Sequence, residues 1–566
     1  MSTSNKNLMY VAIVIVILAG AYVIMRPTPS PSPSPTSSPS PTPSPSEPIV
    51  YRSTWAWPTR IDPAVGSDGS SLAAIPNLYN SLVRITPEGL VGPELAESWV
   101  VTNGGLTYTF ELREGAMSHS GNEMTAEDVV FSMDRLLSMG EGLAYLFLPY
   151  IDEATVVDTY TVQFDLLKNF GPILTVMPNF YVLDKETVMD NLGEGEYGDL
   201  GDYGKEWLMT NDAGSGPYMV KEFLLEEKLI MEKFDDFWGE TLDIDEFKFV
   251  VNAPDIMEMI GTTEPITVRT MMARQELERT DSWQPIENLE AMIESEGVEM
   301  IGEVGTSLLN LMMHTNKAPT DDVHFRKAIA YAFDYEMVVT EIFPHTTMVK
   351  GVVNEVLPGY DPSLEPYRRD LDKAMAELEL SPYYDMLDEI EIEIHWCAEV
   401  PAEERVALLF MDNMADLGIS VKIVKEPWLS MIETMASEDL SPNIVVVYNS
   451  VHFPEVGGDV MRYHSESAPT WEQNEWLLDE TLDAMIEDAL ETVDQMERFE
   501  KYADIQQYIY DLCPTVYVLQ TTTLRAVQDY VVNPYVEYGE HVSGFIYKVA
   551  LGFRPFYGLY TSINPP

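Results

Sequence analysis

The stretch "AGSGPY" at residues 213–218 is the place in this sequence where a phosphate-binding loop would first be sought. A loop of that kind cradles phosphate with backbone N–H groups and continues into a lysine and a serine or threonine, which are missing here. The stretch is therefore interpreted as a turn before a strand. The sequence also lacks a G-x-S-x-G nucleophile elbow and an H-E-x-x-H zinc pair.

Carboxylates are the other residues that could do chemistry, as the acid and the base of a glycoside hydrolase. Because the chain carries 93 Asp and Glu residues, paired carboxylates occur throughout and no pair can be singled out. The 8 histidines and 2 cysteines show no metal-ligand spacing. The residue types thus predict a protein that is not an enzyme and that has neither a cofactor nor a structural metal.

The balance of charge argues against one class of partner. With 33 Lys and Arg against 93 Asp and Glu, the formal net charge is −60, and such a surface repels nucleic acid and anionic lipid. We interpret the excess as a solvated acidic surface suited to salty surroundings, where charges more than ~10 Å apart are screened. An acidic patch for cationic ligands is the alternative.

The two cysteines, Cys397 and Cys513, each lie in an apolar, strand-like run. Two cysteines cannot form a disulfide framework, so buried thiols outside a disulfide are predicted. A single long-range disulfide between them is the alternative.

The N-terminal region is composed like a membrane tether. Residues 8–25 form an uncharged apolar run, and a helix of that length spans ~27 Å, which matches the hydrocarbon core of a bilayer. Residues 26–49 are mostly Pro, Ser and Thr, a composition that favours extended polyproline II. The sequence predicts one membrane anchor with residues 1–7 in the cytoplasm, a linker, and an extracellular body; a cleaved signal peptide is the alternative.

Beyond the linker, short β-branched runs alternate with amphipathic segments, which predicts an α/β architecture. The runs "NIVVVYNSV" and "DLCPTVYVLQ" are interpreted as buried strands. Thr125 with Asp128 forms a capping box at the start of the first long helix, and Gly418 lies where the third should stop. Helices are predicted over residues 125–137, 324–343, 401–418 and 480–512.

Four stretches carry a resemblance to a known family. Residues 92–137 contain "LAESW", "GLTYTFELREG" and "TAEDVVFS" in that order, and residues 214–239 contain "GSGPY" and "FDDFWG". The segment "DDVHFRKAIAYAFDYEMVV" at 321–339 and the "PGYDP" and "DKAMAEL" passage within 351–380 follow. Together these stretches resemble the extracellular solute-binding proteins of family 5, which serve peptide-type ABC importers.

The resemblance implies a fold and a partner. The family has a two-lobed, periplasmic-binding-protein-like fold of type II, whose α/β lobes are joined by two crossing strands and close on a ligand. Lobe one is expected over residues 50–305 and 517–566, and lobe two over 306–516, with crossings near "TSLLNLMMHTN" and "PTVYVLQTTTL". A monomer that delivers its ligand to ABC permease subunits is expected. A helix and Ser/Pro stalk in place of a lipidated cysteine indicates an archaeal source.

Family pockets lie between the lobes and are lined by the loop after the first strand and by segments that follow the strands of lobe two. Trp396 stands near the carboxyl end of a predicted strand, where open α/β sheets bind ligands. Trp55 and Trp57 belong to the first loop and are predicted to stack on a ligand, with packing in the core as the alternative. For Tyr79, a structural role is the alternative to ligand contact. The predicted ligand-binding residues are Trp55, Trp57, Tyr79, Trp396, Tyr448, Asn449 and His452.

The segment 445–460 departs from the family pattern. Peptide-binding relatives carry an aspartate there that grips the α-ammonium group of the ligand, and this sequence has none at that position. Burying an ammonium group without a carboxylate is costly, and Glu455 is not favoured as the replacement. Arg60 and Arg462, the nearest candidates for binding a ligand carboxylate, are more typical of surface or scaffold residues.

Oligopeptides are therefore the first predicted ligand, and oligosaccharides, bound by tryptophan stacking and neutral hydrogen bonds, are the second. A ligand-sensing ectodomain that works with a partner protein is an alternative function of another class. A surface hydrolase is disfavoured because no nucleophile or metal constellation occurs in the sequence.

Replacing Trp57 by Ala is expected to weaken ligand binding while unfolding stays cooperative, because the indole is predicted to stack on the ligand rather than to support the core. Calorimetric titration of the variant measures the dissociation constant. An unchanged dissociation constant would place Trp57 in the core or on the surface instead of in the pocket.

Overall fold

The computed structural model describes residues 47–54, 60–66, 71–86, 90–225, 227–282, 284–344, 346–398, 400, 402–468, 470–532 and 562–563. The predicted anchor, most of the predicted linker, and both Trp55 and Trp57 lie outside these residues. Within the described part of the chain, no helix combines the length and the apolar character that crossing a membrane requires.

Strands and helices alternate along the described chain, which confirms the predicted mixed α/β architecture. The strands are β1 (Val50–Thr54), β2 (Asn80–Ser81), β3 (Val83–Ile85), β4 (Val91–Pro93), β5 (Ala96–Thr102), β6 (Thr107–Leu112), β7 (Ile151–Asp158), β8 (Thr161–Leu166), β9 (Tyr181–Val182), β10 (Tyr218–Leu224), β11 (Lys228–Lys233), β12 (Ile256–Ile260), β13 (Val298–Met313), β14 (Glu391–Cys397), β15 (Ser420–Glu426), β16 (Ile444–Ser450), β17 (Thr515–Gln528), β18 (Val531–Val532) and β19 (Ser562–Ile563). The helices are α1 (Ser71–Leu78), α2 (Ala126–Met139), α3 (Ile173–Val176), α4 (Lys185–Met189), α5 (Trp238–Thr241), α6 (Pro265–Ala273), α7 (Ile286–Met292), α8 (Val323–Ala332), α9 (Tyr335–Met337), α10 (Leu371–Leu378), α11 (Ala402–Ala415), α12 (Trp428–Met435), α13 (Gly457–Val460), α14 (Glu480–Glu491) and α15 (Gln495–Leu512).

Lobe one contains two of the larger sheets. One has the strand order β1-β12-β11-β10, in which β1 runs parallel to β12 and the other neighbours are antiparallel. The other is the antiparallel sheet β5-β6-β8-β7. The predicted turn at 213–218 leads directly into β10, as the sequence indicates. A continuous apolar cluster joins the two sheets and contains Tyr108, Phe110, Phe164 and Trp238, which are all fully buried.

Lobe two is built on a sheet with the order β15-β14-β16-β13-β17. Strand β14 runs parallel to both β15 and β16, and β13 is antiparallel to β16 and β17. Successive side chains alternate between the two faces. Leu309 and Val446 pack on one face, whereas Leu308 and Val447 pack on the other. Helices cover both faces, so the strands read as continuous apolar runs, as predicted for "NIVVV".

The two crossing segments of the sequence analysis lie in the long strands β13 and β17. These strands pair with each other from Val298 opposite Gln528 to Met312 opposite Thr515, with register shifts between Val304 and Leu308 and between Leu309 and Asn310. At the far end, backbone bridges link Arg279 both to β1 and to β17. The paired strands therefore connect the sheet of lobe two to that of lobe one, and the exact lobe limits stay a prediction.

Three local predictions need correction. The helix expected over 480–512 is two helices, because Asp494 caps a new one by accepting the backbone N–H of Glu497 at 2.9 Å. The helix expected over 324–343 likewise divides after Ala332, where Asp334 accepts the N–H of Met337 at 3.0 Å. Cys513 does not lie in a strand; it ends α15 in a left-handed conformation with φ 46°. Both cysteine thiols are buried outside a disulfide, as predicted.

The predicted start of α2 is confirmed. The carboxylate of Asp128 accepts hydrogen bonds from the backbone N–H and the hydroxyl of Thr125, at 2.7 and 2.8 Å. The helix ends at Gly140, which adopts a left-handed φ of 62°.

Replacing Thr125 by Ala is expected to lower the free energy of unfolding by about 1 kcal/mol, because a buried carboxylate at the helix start loses a hydrogen-bond donor. Urea unfolding measures the change. Thr270→Ala is the matched control, since the hydroxyl of this exposed threonine donates back to the carbonyl of Ile266 within its own helix, and a change within about 0.5 kcal/mol is expected there. Equal losses in both variants would contradict the assigned cap.

Candidate ligand-binding site

The carboxyl ends of β14 and β16 meet at one edge of the lobe-two sheet, because the two strands are parallel neighbours. Strand β14 ends at Cys397 and is followed by α11, and β16 ends at Ser450 and is followed by a loop that leads into α13. Open α/β sheets bind ligands outside this edge. Trp396, Tyr448, Asn449 and His452, four of the predicted ligand-binding residues, lie on or just beyond it.

The alternation along β16 separates two of these residues. Tyr448 packs on the same sheet face as Trp396, whereas Asn449 belongs to the opposite face. There Asn449 is buried, and its side-chain oxygen accepts a hydrogen bond from the amide of Asn310 on β13 at 3.0 Å. Asn449 thus joins two strands of the sheet, and its oxygen is engaged within the protein.

Trp396 and Tyr448 differ in exposure. Trp396 is 2% exposed inside the core of lobe two, and the ammonium group of Lys425 lies 5.0 Å from the centre of its ring. Tyr448 is half-buried, and burial, reinforced by the nearby Glu403 carboxylate, raises the pKa of its hydroxyl. Of the two, Tyr448 has surface left for contact with a ligand.

Glu403 is a residue of this edge that the sequence analysis did not single out. It lies in the first turn of α11, is 2% exposed, and accepts the backbone N–H of Cys397 at 2.8 Å. Burial raises the pKa of this carboxyl to about 7. Among the residues that the structure describes, no Lys, Arg or His forms an ion pair with it. Sequence spacing does not single out Glu403 among 93 acidic residues, because its burial depends on the packing of α11 against β14.

His452 lies where the two lobes approach each other. Its Nε2 atom is 3.1 Å from a carboxylate oxygen of Glu472, and this hydrogen bond raises the pKa of the imidazole against the effect of burial. Its ring faces Tyr145 of lobe one, with 6.5 Å between the ring centres. Tyr145 is 52% exposed. The pair lies at an accessible boundary between the lobes. The sequence analysis predicted His452 as a site residue but did not predict Tyr145.

Glu455 holds a buried contact between the lobes. It is fully buried, and its carboxylate accepts two hydrogen bonds from Arg498, at 2.6 and 2.9 Å, and one from the Tyr502 hydroxyl at 2.6 Å. The hydroxyl of Thr175 in lobe one donates a further bond at 3.2 Å. The negative charge of Glu455 is therefore compensated inside the protein, and this carboxylate is not available to a ligand.

The sequence analysis considered Arg60 and Arg462 for binding a ligand carboxylate, and the structure does not place either of them on this edge as an unpaired cation. Arg60 is exposed at the start of a described segment of lobe one. Arg462 is 3% exposed and forms ion pairs with Glu475 at 3.2 Å and Asp459 at 3.4 Å. The Arg462 charge is thus part of a buried network in lobe two.

Tyr79 is placed apart from the lobe-two residues. It directly follows α1 and is fully buried in the core cluster of lobe one. Burial, with a smaller contribution from the charges of Asp212 and Asp62, raises the pKa of its hydroxyl well above the usual value. The structure therefore brings Tyr448 and His452 to one accessible edge and places Tyr79, Trp396 and Asn449 in packed interiors.

Comparison with known proteins places this architecture in a family. The family model of bacterial extracellular solute-binding proteins, family 5, matches residues 91–458. A protein of Escherichia coli described as "Probable D,D-dipeptide-binding periplasmic protein DdpA" is 26% identical over 499 residues, which cover 85% of this chain and 90% of that protein. The dipeptide-binding protein of the same organism is 25% identical over 522 residues, which cover 84% and 91%.

The fold is shared with solved structures of the same kind. The ABC transporter substrate-binding protein CtaP from Listeria monocytogenes superposes with a TM-score of 0.74 at 18% identity, covering 91% of this chain and 99% of that one. The two-lobed, periplasmic-binding-protein-like fold expected from the sequence is confirmed. The organisms named here are bacteria, so the comparison does not bear out an archaeal source. The chain belongs to the extracellular solute-binding proteins of family 5.

Proposed function

We propose that this chain is the membrane-tethered receptor of an ABC importer, which captures oligopeptides between its two lobes and delivers them to permease subunits. The observation that carries the proposal is the match along most of the chain to two relatives whose names state dipeptide binding. The tether, over residues 8–25 with the Ser/Pro linker, would keep the receptor close to its permease and raise its effective concentration there.

The proposed pocket lies between lobe one and the carboxyl edge of the lobe-two sheet. Tyr448 and His452 are the partly exposed residues of that edge and are proposed to contact the ligand. Trp55 and Trp57 are proposed to approach from the loop that follows β1. Tyr79, Trp396 and Asn449 are proposed to support the pocket wall, because Tyr79 and Trp396 pack in the apolar cores and the side chain of Asn449 is hydrogen-bonded to Asn310.

Glu403 is proposed as the group that receives the ligand's α-ammonium. Glu455 is bound by Arg498, whereas Glu403 has no basic partner in the described part of the chain. With a pKa of about 7, Glu403 is part protonated at neutral pH. A ligand ammonium beside it would hold it ionised and would remove the cost of burying an unpaired charge.

Oligopeptide binding is tested by titrating the full chain in detergent with a pool of di- to pentapeptides and, separately, with short oligosaccharides. Tryptophan fluorescence is the readout, because lobe closure changes the surroundings of indoles at the cleft. A saturable change with peptides is expected. A response to sugars alone would replace peptide by sugar as the ligand, and no response to either would contradict a receptor for these two classes.

Glu403→Gln and Glu455→Gln form a matched pair of variants. Glu403→Gln is expected to weaken binding of peptides with a free N-terminal amine roughly ten- to hundredfold and to leave N-acetylated peptides unaffected, because a charged hydrogen bond contributes ~1.5–3 kcal/mol.

Glu455→Gln is expected to lower the free energy of unfolding by about 3 kcal/mol, since Arg498 loses its buried counter-charge, while the preference for free amines persists. Calorimetric titration and urea unfolding measure the two effects. If the preference for free amines were lost in Glu455→Gln and kept in Glu403→Gln, Glu455 and not Glu403 would be the residue that binds the ligand's ammonium group.

A further inference from the structure

A small cleft in lobe two is lined by residues other than those of the proposed ligand site. Tyr335, Tyr367, Tyr510 and Tyr517 line it together with Arg368. Its free space holds about one water-sized particle. The cleft is therefore small, and a monatomic ion is the ligand that its size suits.

The hydroxyls of three of these tyrosines are hydrogen-bonded within the protein. The Tyr335 hydroxyl donates to the carbonyl of Ala330 at 2.9 Å, and that of Tyr367 donates to the carbonyl of Tyr510 at 3.3 Å. The Tyr517 hydroxyl is hydrogen-bonded to the hydroxyl of Tyr463 at 2.6 Å. Arg368 is thus the charged group of the cleft.

The guanidinium of Arg368 has neutral partners only. It donates to the carbonyl of Tyr367 at 2.7 Å and to that of Val349 at 2.9 Å. Within the described residues, no carboxylate forms an ion pair with it. The side chain is half-buried, and burial lowers its pKa because the charged form loses water.

Two other arginines of lobe two have the partners that Arg368 lacks. Arg326 also lacks a carboxylate, but all three of its guanidinium nitrogens donate to backbone carbonyls, such as that of Leu512 at 2.7 Å. Arg369, next to Arg368 in sequence, forms an ion pair with Asp416 at 2.6 Å. Arg368 has neither the full set of acceptors nor the opposite charge.

We propose that this cleft binds one halide-sized anion, chloride in salt-containing surroundings, through the N–H groups of Arg368 that protein carbonyls do not accept. The anion supplies the missing counter-charge. The site is independent of what the chain carries between its lobes.

The anion would also stabilise the packing against a crossing strand. Tyr517 belongs to β17, and Val349 closely follows Thr347, whose backbone pairs with that of Gln520 on the same strand. The backbone N–H of Gln520 donates to the carbonyl of Thr347 at 2.9 Å. Occupancy of the cleft would therefore hold the 347–368 segment against β17.

Thermal unfolding of the full chain in detergent tests the site when sodium gluconate is replaced stepwise by sodium chloride at constant ionic strength. The unfolding midpoint is expected to rise saturably in the native chain and in Arg369→Gln, and not in Arg368→Gln. The same rise in Arg368→Gln would mean a general salt effect and would overturn the proposal.

Bromide soaking of native crystals is a second test of the anion site, and it does not depend on whether Arg368→Gln folds. In crystals of the native chain, an anomalous bromide peak in contact with the Arg368 guanidinium is expected. A water molecule or an empty cleft at saturating bromide would overturn the proposal, whatever the unfolding data show.

Discussion

The backbone pairing of β13 with β17 is the constraint on which the rest of the structure depends. The pair spans both lobes, and lobe two is joined to it through β16. The ladder is interrupted between Val304 and Leu308 and again between Leu309 and Asn310, and irregularities of this kind bend a pair of strands. The sheet edge that carries Tyr448 and His452 is positioned by its register against this ribbon.

Several buried charges of this acidic protein are compensated by a neighbouring group of opposite charge. Arg135 donates two hydrogen bonds to Asp62 in lobe one, at 2.7 and 2.6 Å, and Glu455 meets Arg498 in the same two-bond geometry. Because an unpaired buried charge is costly, these groups are fixed parts of the scaffold. Glu403, which is buried, and Arg368, which is half-buried, form no such ion pair among the described residues, and each is the central residue of one of the two proposed binding sites.

Local signals in the sequence predict much of the secondary structure and little of the site. The cap of α2, the stop at Gly418 and the buried strand β16 follow from a few neighbouring residues. The break at Asp494 does not, because an amphipathic pattern continues across it and only the cap geometry divides the helices. The period of two predicts that Tyr448 and Asn449 face opposite ways, but which face is covered depends on helices distant in sequence. The burial of Trp396 in the core has the same origin.

The order of the strands along the chain also constrains how the protein is made. Val298 and Ala526 pack in one apolar cluster, and Val527, Val531 and Ile563 belong to the core of lobe one. All of lobe two lies between these partners in sequence, so a nascent chain presents an incomplete lobe one until its last strands emerge. Long-range pairing of this kind is slow and leaves apolar surface exposed in the meantime. Protection of that unfinished core during synthesis and export is therefore a requirement built into the topology.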